Sequence, residues 1–161
     1  VEDDRKGRFD REKAEELGVP VGPKFSRLHE GESVELDDGT VIDPEQVVGE
    51  PRPGRKIVYS GDTRPIERTV EIAEDADLLI HDATFADDRT DRAEKTAHAT
   101  AREAAGIASR ANVHRLALLH VSSRYTGNVG AHLREAREAF DGDVFAPDDG
   151  QTVEVPYPDG E

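Results

Sequence analysis

Ile57-Val58-Tyr59-Ser60-Gly61-Asp62-Thr63-Arg64-Pro65 holds the pattern from which the fold is read. A short β-branched and aromatic run, Ile57 to Tyr59, is a strand, and it passes straight into a polar turn carrying Asp62. The same shape returns twice. Leu78-Leu79-Ile80 runs into His81-Asp82, and Leu116 to Leu119 runs into His120-Val121-Ser122. Between these runs the spacing becomes helical: Ile66 to Ala73 (IERTVEIA), the Ala-rich Thr100 to Ala111, and Gly130 to Phe140. Val144-Phe145 and Thr152 to Val155 are predicted as short closing strands, and Ala86 to Ala97 as a long polar loop. Strands alternating with helices at this spacing predict an α/β layered fold.

Upstream the pattern is different. Asp10 to Leu17 (DREKAEEL) reads as a short helix, with Asp10 as its cap and Gly18 as its stop. Val19-Pro20-Val21-Gly22-Pro23 forces an irregular loop. Ser33 to Ile42 (SVELDDGTVI) alternates around Asp38-Gly39, a hairpin signal. Pro51 to Gly54 is a loop. The chain therefore divides into a connecting segment, 1–54, built of helix, Pro/Gly loop and hairpin, and an α/β segment, 55–161. It opens at Val1 inside a charged stretch, which reads as a truncation or an alternative start.

At 161 residues the chain fits one domain or one half of a larger one. Hydrophobic residues are 35% and charged residues also 35%, so the core must be lean. With 36 Asp+Glu against 21 Lys+Arg, the formal net charge is −15. Acidic excess with scarce lysine points to a protein made for concentrated salt; a merely acidic protein from low salt is the alternative. Charge of this kind informs on solubility rather than fold. There is no cysteine, which excludes disulfides, thiolate zinc sites and a cysteine nucleophile. Any metal must be held by His, Asp or Glu. The apolar runs, such as Leu78-Leu79-Ile80 and Leu116 to Leu119, are far too short to span a bilayer, and no signal peptide is visible. The expectation is a cytoplasmic protein.

The three strands end in Asp62, in His81-Asp82 and in His120. Ligands collect at the carboxyl ends of strands in α/β sheets, so these residues can share one rim if the strands are neighbours. His98 stands just before the Ala-rich helix, whose N-terminus favours an anion such as phosphate. Taken singly, each has a plainer reading: Asp62 as a turn or cap residue, and His120 as a structural histidine. His29, His114 and His132 lie outside the pattern and are read as surface residues. The residues alone support a metal-assisted or acid–base site on an α/β rim.

Four strings carry a resemblance. Tyr59 to Pro65 (YSGDTRP), His81 to Phe85 (HDATF), Ala97 to Ala101 (AHATA) and His120 to Tyr125 (HVSSRY) resemble, in order, the bridging-aspartate motif, the HEAT loop, the HST loop and the last histidine with its SSRY tail in ribonuclease Z. Gly18 to Pro23 (GVPVGP) and Gly49 to Lys56 (GEPRPGRK) also resemble its intervening segments. That family belongs to the metallo-β-lactamase superfamily. The resemblance implies the C-terminal half of an αβ/βα sandwich with two zinc ions on its rim. It implies that Asp62 bridges the zincs, that His120 binds one of them, and that His98, positioned by Asp82, moves a proton. Ser122, Ser123, Arg124 and Tyr125 would lie near the RNA 3′ end, where the Arg124 fork suits phosphate. The implied substrate is a tRNA precursor, cut to leave a tRNA 3′-OH, and the implied assembly is a homodimer.

The sequence departs from that family in four ways. Asp82 is one methylene shorter than the family's Glu, which weakens the expected support of His98. Ala99 lacks the hydroxyl of HST. No H-x-H-x-D-H string occurs, although the family takes its remaining metal ligands from such a motif and another upstream His. The family's tRNA-gripping arm has no counterpart either. The chain by itself is therefore expected to bind zinc poorly and to need an N-terminal half of the same fold. Two other readings stay open: a different phosphodiesterase of the superfamily, and a non-catalytic remnant or partner module with an exposed apolar sheet face.

Overall fold

A computed structural model of the chain describes residues 1–158 and 160. The final position of the 55–161 segment lies outside the described residues. Two compact units are present, one over Glu2–Gly54 and one over Arg55–Glu161 joined by Val1.

In the first unit, helix α1 (Arg11–Glu16) starts where Asp10 accepts a hydrogen bond from the Lys13 N–H at 2.9 Å. Helix α2 (Pro23–His29) follows, which the sequence reading left unassigned beyond the 19–23 loop. Pro23 sits at its first turn, where a missing N–H costs nothing and the fixed φ favours the helix. The expected hairpin is present but short, with β1 (Val34–Glu35) antiparallel to β2 (Val41–Ile42). Gly39 turns it at φ 86°, and the Asp38 carboxylate accepts from the Thr40 N–H at 2.9 Å. Ala14, Val19, Leu28, Val34, Ile42 and Val47 form the core of this unit.

The second unit is built on a four-stranded sheet of order β3-β4-β5-β6, all parallel. Its strands are β3 (Ile57–Tyr59), β4 (Leu78–Asp82), β5 (Arg115–Leu119) and β6 (Asp143–Phe145). The connecting helices are α3 (Glu67–Ala73), α4 (Thr90–Thr96), α5 (Ala101–Arg110) and α6 (Gly130–Arg137). Alternation along the strands sorts the faces. Val58, Leu79, Leu116, Leu118 and Val144 pack with α5 alanines and with Ala136 and Phe140 in one core. A face of alanines lets α5 approach the sheet closely. Thr100 caps it reciprocally: the Glu103 N–H donates to Thr100, and the Thr100 N–H donates to Glu103.

The opposite sheet face carries Ile57, Tyr59, Leu78, Ile80, Ala117, Leu119 and Phe145, in register across the strands. Residues from Pro147 to Val153 line it at the β6 side. At the β3 edge it is open, and Tyr59 is 66% exposed.

Three sequence expectations are corrected. Ala86 to Ala97 is not a loop: a 3-10 turn (Asp87–Arg89) leads into α4. That helix buries only Ala93, so it has no apolar stripe to announce it. Thr152 to Val155 forms no strand. It is tied instead by arginine side chains, Arg115 donating to the Glu154 carbonyl at 2.7 Å and Arg55 to the Val155 carbonyl at 3.0 Å. His132 is not a surface residue but fully buried. It shares the inner face of α6 and beyond with Ala136 and Phe140 at intervals of four, and its ring meets Tyr125 edge-on at 4.6 Å.

Candidate functional site

Because all four strands run parallel, their carboxyl ends share one rim. β3 leads to Asp62, β4 ends on Asp82, and β5 leads to His120. The turns there are tight. Gly61 has φ 65° and His120 itself has φ 60°, a left-handed conformation uncommon outside glycine. A non-glycine residue held this way is a frequent mark of a site where side-chain direction matters. The result is that His120 Nε2 lies 3.4 Å from Asp62 Oδ2, with both side chains about half exposed.

Asp82 is the hub beneath them, with its side chain wholly buried. Its Oδ2 accepts from His98 Nδ1 at 2.6 Å and from the Thr63 N–H at 3.0 Å. Its Oδ1 accepts from the Thr84 N–H at 2.8 Å and the Thr84 hydroxyl at 2.7 Å. Burial pushes its pKa up, but the bonds from His98, Thr84 and Thr63 outweigh burial and hold the carboxyl below its ordinary range. Asp82 is thus the anion of the site. Thr63 is the neighbour of Asp62, so one carboxylate ties the Asp62 turn to the His98 loop. The shorter side chain therefore does reach His98, contrary to the expected weakening: β4 extends to Asp82 itself and brings its backbone close.

His98 is held on the other side by the αL end of α4 at Ala97 and by the start of α5. Its Nδ1–H is engaged by Asp82, which leaves Nε2 as the nitrogen that gains or releases a proton. The His98 and His120 rings stack, with centroids 4.9 Å apart and 17° between planes. Thr84, to which the sequence reading assigned no role, touches both rings, at 3.1 Å from His98 Nδ1 and 2.7 Å from His120 Nδ1. It belongs to the HDATF string, but nothing in that string assigns it a role. His81, although at a strand end, turns inward: its Nδ1–H donates to the Asp82 carbonyl at 2.8 Å, and Nε2 is buried without a partner. Burial pushes its pKa down.

The Ser122 to Tyr125 tail lies just beyond His120. The Ser122 N–H donates to the Thr84 carbonyl at 3.0 Å, and residues Ser123–Tyr125 form a 3-10 turn. Ser123 and Arg124 are exposed. Tyr125 points inward instead: its hydroxyl donates to Asp88 at 2.6 Å and accepts weakly from the Ala86 N–H.

Among the described residues, Asp82, His98 and His120 offer donor atoms within 4.8 Å of one another, a composition that can hold a metal. One of those approaches, His98 Nδ1 to Asp82 Oδ2 at 2.6 Å, is a hydrogen bond. Metal-sized spacing is found higher on the rim. Around a tetrahedral zinc with bonds of about 2.1 Å, neighbouring donors stand about 3.4 Å apart. The Asp62–His120 pair, at 3.4 Å, fits this, and carboxylate with imidazole is a donor set zinc accepts.

A family model described as "Beta-lactamase superfamily domain" matches residues 24–121. The chain belongs to the beta-lactamase superfamily. Within this superfamily it is similar to Ribonuclease Z of Natronomonas pharaonis, at 68% identity over 99% of this chain and 52% of the relative. Ribonuclease Z of Haloferax volcanii is 64% identical over 100% of this chain and 51% of its own length. This superfamily chain thus spans about half the length of the curated relatives it matches. Among solved structures, human tRNase Z, short form, superposes with TM-score 0.51 at 29% identity, covering 72% of this chain and 37% of that one. The metallo-beta-lactamase fold protein YhfI from Bacillus subtilis gives TM-score 0.54 at 28% identity, over 59% of this chain and 38% of its own. The α/β architecture is therefore that of the superfamily, as half of its fold. No helix among the described residues is long and apolar enough to cross a membrane.

Proposed function

We propose that this chain is the C-terminal half of a ribonuclease Z-type endoribonuclease, which removes the 3′ trailer from tRNA precursors and leaves a tRNA 3′-OH. The observation that carries this reading is the 68% identity to a Ribonuclease Z along nearly the whole chain. The rim geometry is compatible with it. Asp62 and His120 would be ligands to zinc, two ions in the complete site. Bound zinc would supply a water deprotonated near neutral pH and charge stabilisation at the phosphodiester.

The chain's own residues would do the rest. His98, protonated on Nε2, would donate to the departing 3′ oxygen as its bond to phosphorus breaks. Asp82 would hold the ring through Nδ1 and so aim Nε2 for this step. Arg124, exposed four residues after His120 in the chain, would take phosphate oxygens, with Ser122 and Ser123 in the same turn. Tyr125 would act as a brace for that turn through Asp88 rather than as an RNA contact. The remaining metal ligands would come from an N-terminal half of the same fold, covering the open sheet face at Ile57 and Tyr59. A homodimer and a cytoplasmic setting belong to the same reading.

A net charge of −15 opposes RNA binding at low salt, since affinity for phosphate is largely electrostatic. In molar salt the Debye length falls to about 3 Å, which screens the distant charges and leaves local arginines effective. The test is a chimera in which this chain replaces the matching half of the Haloferax volcanii relative. With zinc in molar KCl it should cut a tRNA precursor once, at the trailer junction. His98→Ala and Asp62→Ala variants should lose the cut by a hundredfold or more, on the order expected for an acid catalyst or a metal ligand. A folded, zinc-loaded chimera that leaves the precursor intact would reject the reading.

A further inference from the structure

We propose that Thr84 is a positioning residue that fixes the tautomer of His120, placing the proton on Nδ1 and leaving the Nε2 lone pair facing Asp62. Thr84 Oγ1 lies 2.7 Å from Asp82 Oδ1, 2.7 Å from His120 Nδ1 and 3.1 Å from His98 Nδ1. A hydroxyl has one proton to give and two lone pairs to receive with. Two of its neighbours are imidazole nitrogens and the third is a buried carboxylate. The carboxylate is the strongest acceptor of the three, so the hydroxyl proton goes to Asp82. Thr84 then has only acceptor capacity left for the rings. His120 must supply the proton of the short contact from Nδ1. His98 does not compete for that role, because its own Nδ1–H is already directed at Asp82 at 2.6 Å.

The opposing force is on the rim. Asp62 Oδ2 lies 3.4 Å from His120 Nε2 and would favour a proton there. That contact is longer, and its groups are about half exposed, so water weakens it. The Thr84 contact is short and sheltered: Thr84 is buried and its backbone is pinned by Asp82 and by the Ser122 N–H. Thr84 therefore decides. One threonine thus joins the carboxylate that orients the proposed acid to the ring proposed as metal ligand, an arrangement typical of partners that orient a ligating histidine. Only the use of the lone pair rests on the nuclease reading; the tautomer itself does not, so the two can fail separately.

The experiment is long-range ¹H–¹⁵N correlation of the imidazoles in the 161-residue chain. It is run metal-free with chelator, in molar KCl, at a pH where the rings are neutral, with His98→Gln and His120→Gln variants for assignment. His98 and His120 should both show a protonated Nδ1 and an unprotonated Nε2. Thr84→Val should move His120 to the Nε2–H form, since Asp62 Oδ2 then remains as the carboxylate facing Nε2 at 3.4 Å, while His98 stays Nδ1–H on Asp82. Thr84→Ser should restore the original His120 pattern. His120 found as Nε2–H in the unaltered chain would overturn the proposal, as would an unchanged His120 tautomer in Thr84→Val.

Discussion

Asp82 shows how much one side chain decides. It accepts four hydrogen bonds while fully buried, and its pKa lies below the ordinary carboxylate range. A depressed pKa in the folded state means that the stabilisation is present above the unfolded carboxyl's pKa. It is lost as pH falls through the lower folded value, because the unfolded chain takes up the proton first. Asp82→Asn should therefore destabilise the chain at pH 7 by about 1–3 kcal/mol, the scale for charged hydrogen bonds lost in a buried place. The gap to the unaltered chain should narrow once pH drops below about 4. Urea unfolding in molar KCl across that range measures both, and a gap independent of pH would contradict the assignment of charge to Asp82. Asp62, Asp82, His98 and His120 were legible as a rim set because three strands each end in a polar residue. Thr84 was not, since a hydroxyl acquires its role only from what surrounds it. His132 was misread for a related reason: a lone polar residue on a charged helix looks solvated, and only the interval of four to Ala136 and Phe140 hinted at burial.

Elements with an apolar period were visible in the sequence, and those without one were not. The cores of β3, β4 and β5 and of helices α3, α5 and α6 follow from apolar spacing, and their boundaries shift by at most three residues in the structure, those of β3 not at all. Helix α4 escaped because a helix that buries one alanine has no stripe, and Thr152 to Val155 misled because alternation alone does not supply a neighbouring strand. α4 has its own consequence for the site. It ends on Ala97 with φ 60° and ψ 37°, and the Ala97 N–H bonds back to Glu94 immediately before His98. An L-residue with a Cβ is disfavoured in this conformation by roughly 1–2 kcal/mol, and glycine is not. Ala97→Gly should stabilise the chain by about 0.5–1 kcal/mol, the remainder being offset by glycine's greater unfolded-state entropy. Chemical denaturation gives the value directly. A loss of stability would mean that Ala97 does not hold this conformation in solution.

At the scale of the whole molecule, the question is what a chain with half the length of its relatives can hold. The rim brings together one carboxylate and one imidazole at a spacing that suits a shared ion. A catalytic zinc takes about three protein ligands, and a second zinc would need its own. Asp82 is wholly buried and already holds four hydrogen bonds, and His98 is the proposed proton donor rather than a ligand. His81 faces inward, and His132 is fully buried. Two ligands on an open rim leave the ion to water, and the surrounding acidic surface offers only diffuse attraction that molar salt removes. Titration calorimetry of the 161-residue chain in molar KCl should show no tight stoichiometric zinc uptake, and Asp62→Ala or His120→Ala should change the weak binding little. The chimera with a relative's N-terminal half should bind zinc tightly, and there the same two substitutions should weaken it by tenfold to a hundredfold or more, because each then removes one ligand from a complete set. Tight binding to the chain alone would mean that ligands outside the Asp62–His120 pair complete the site.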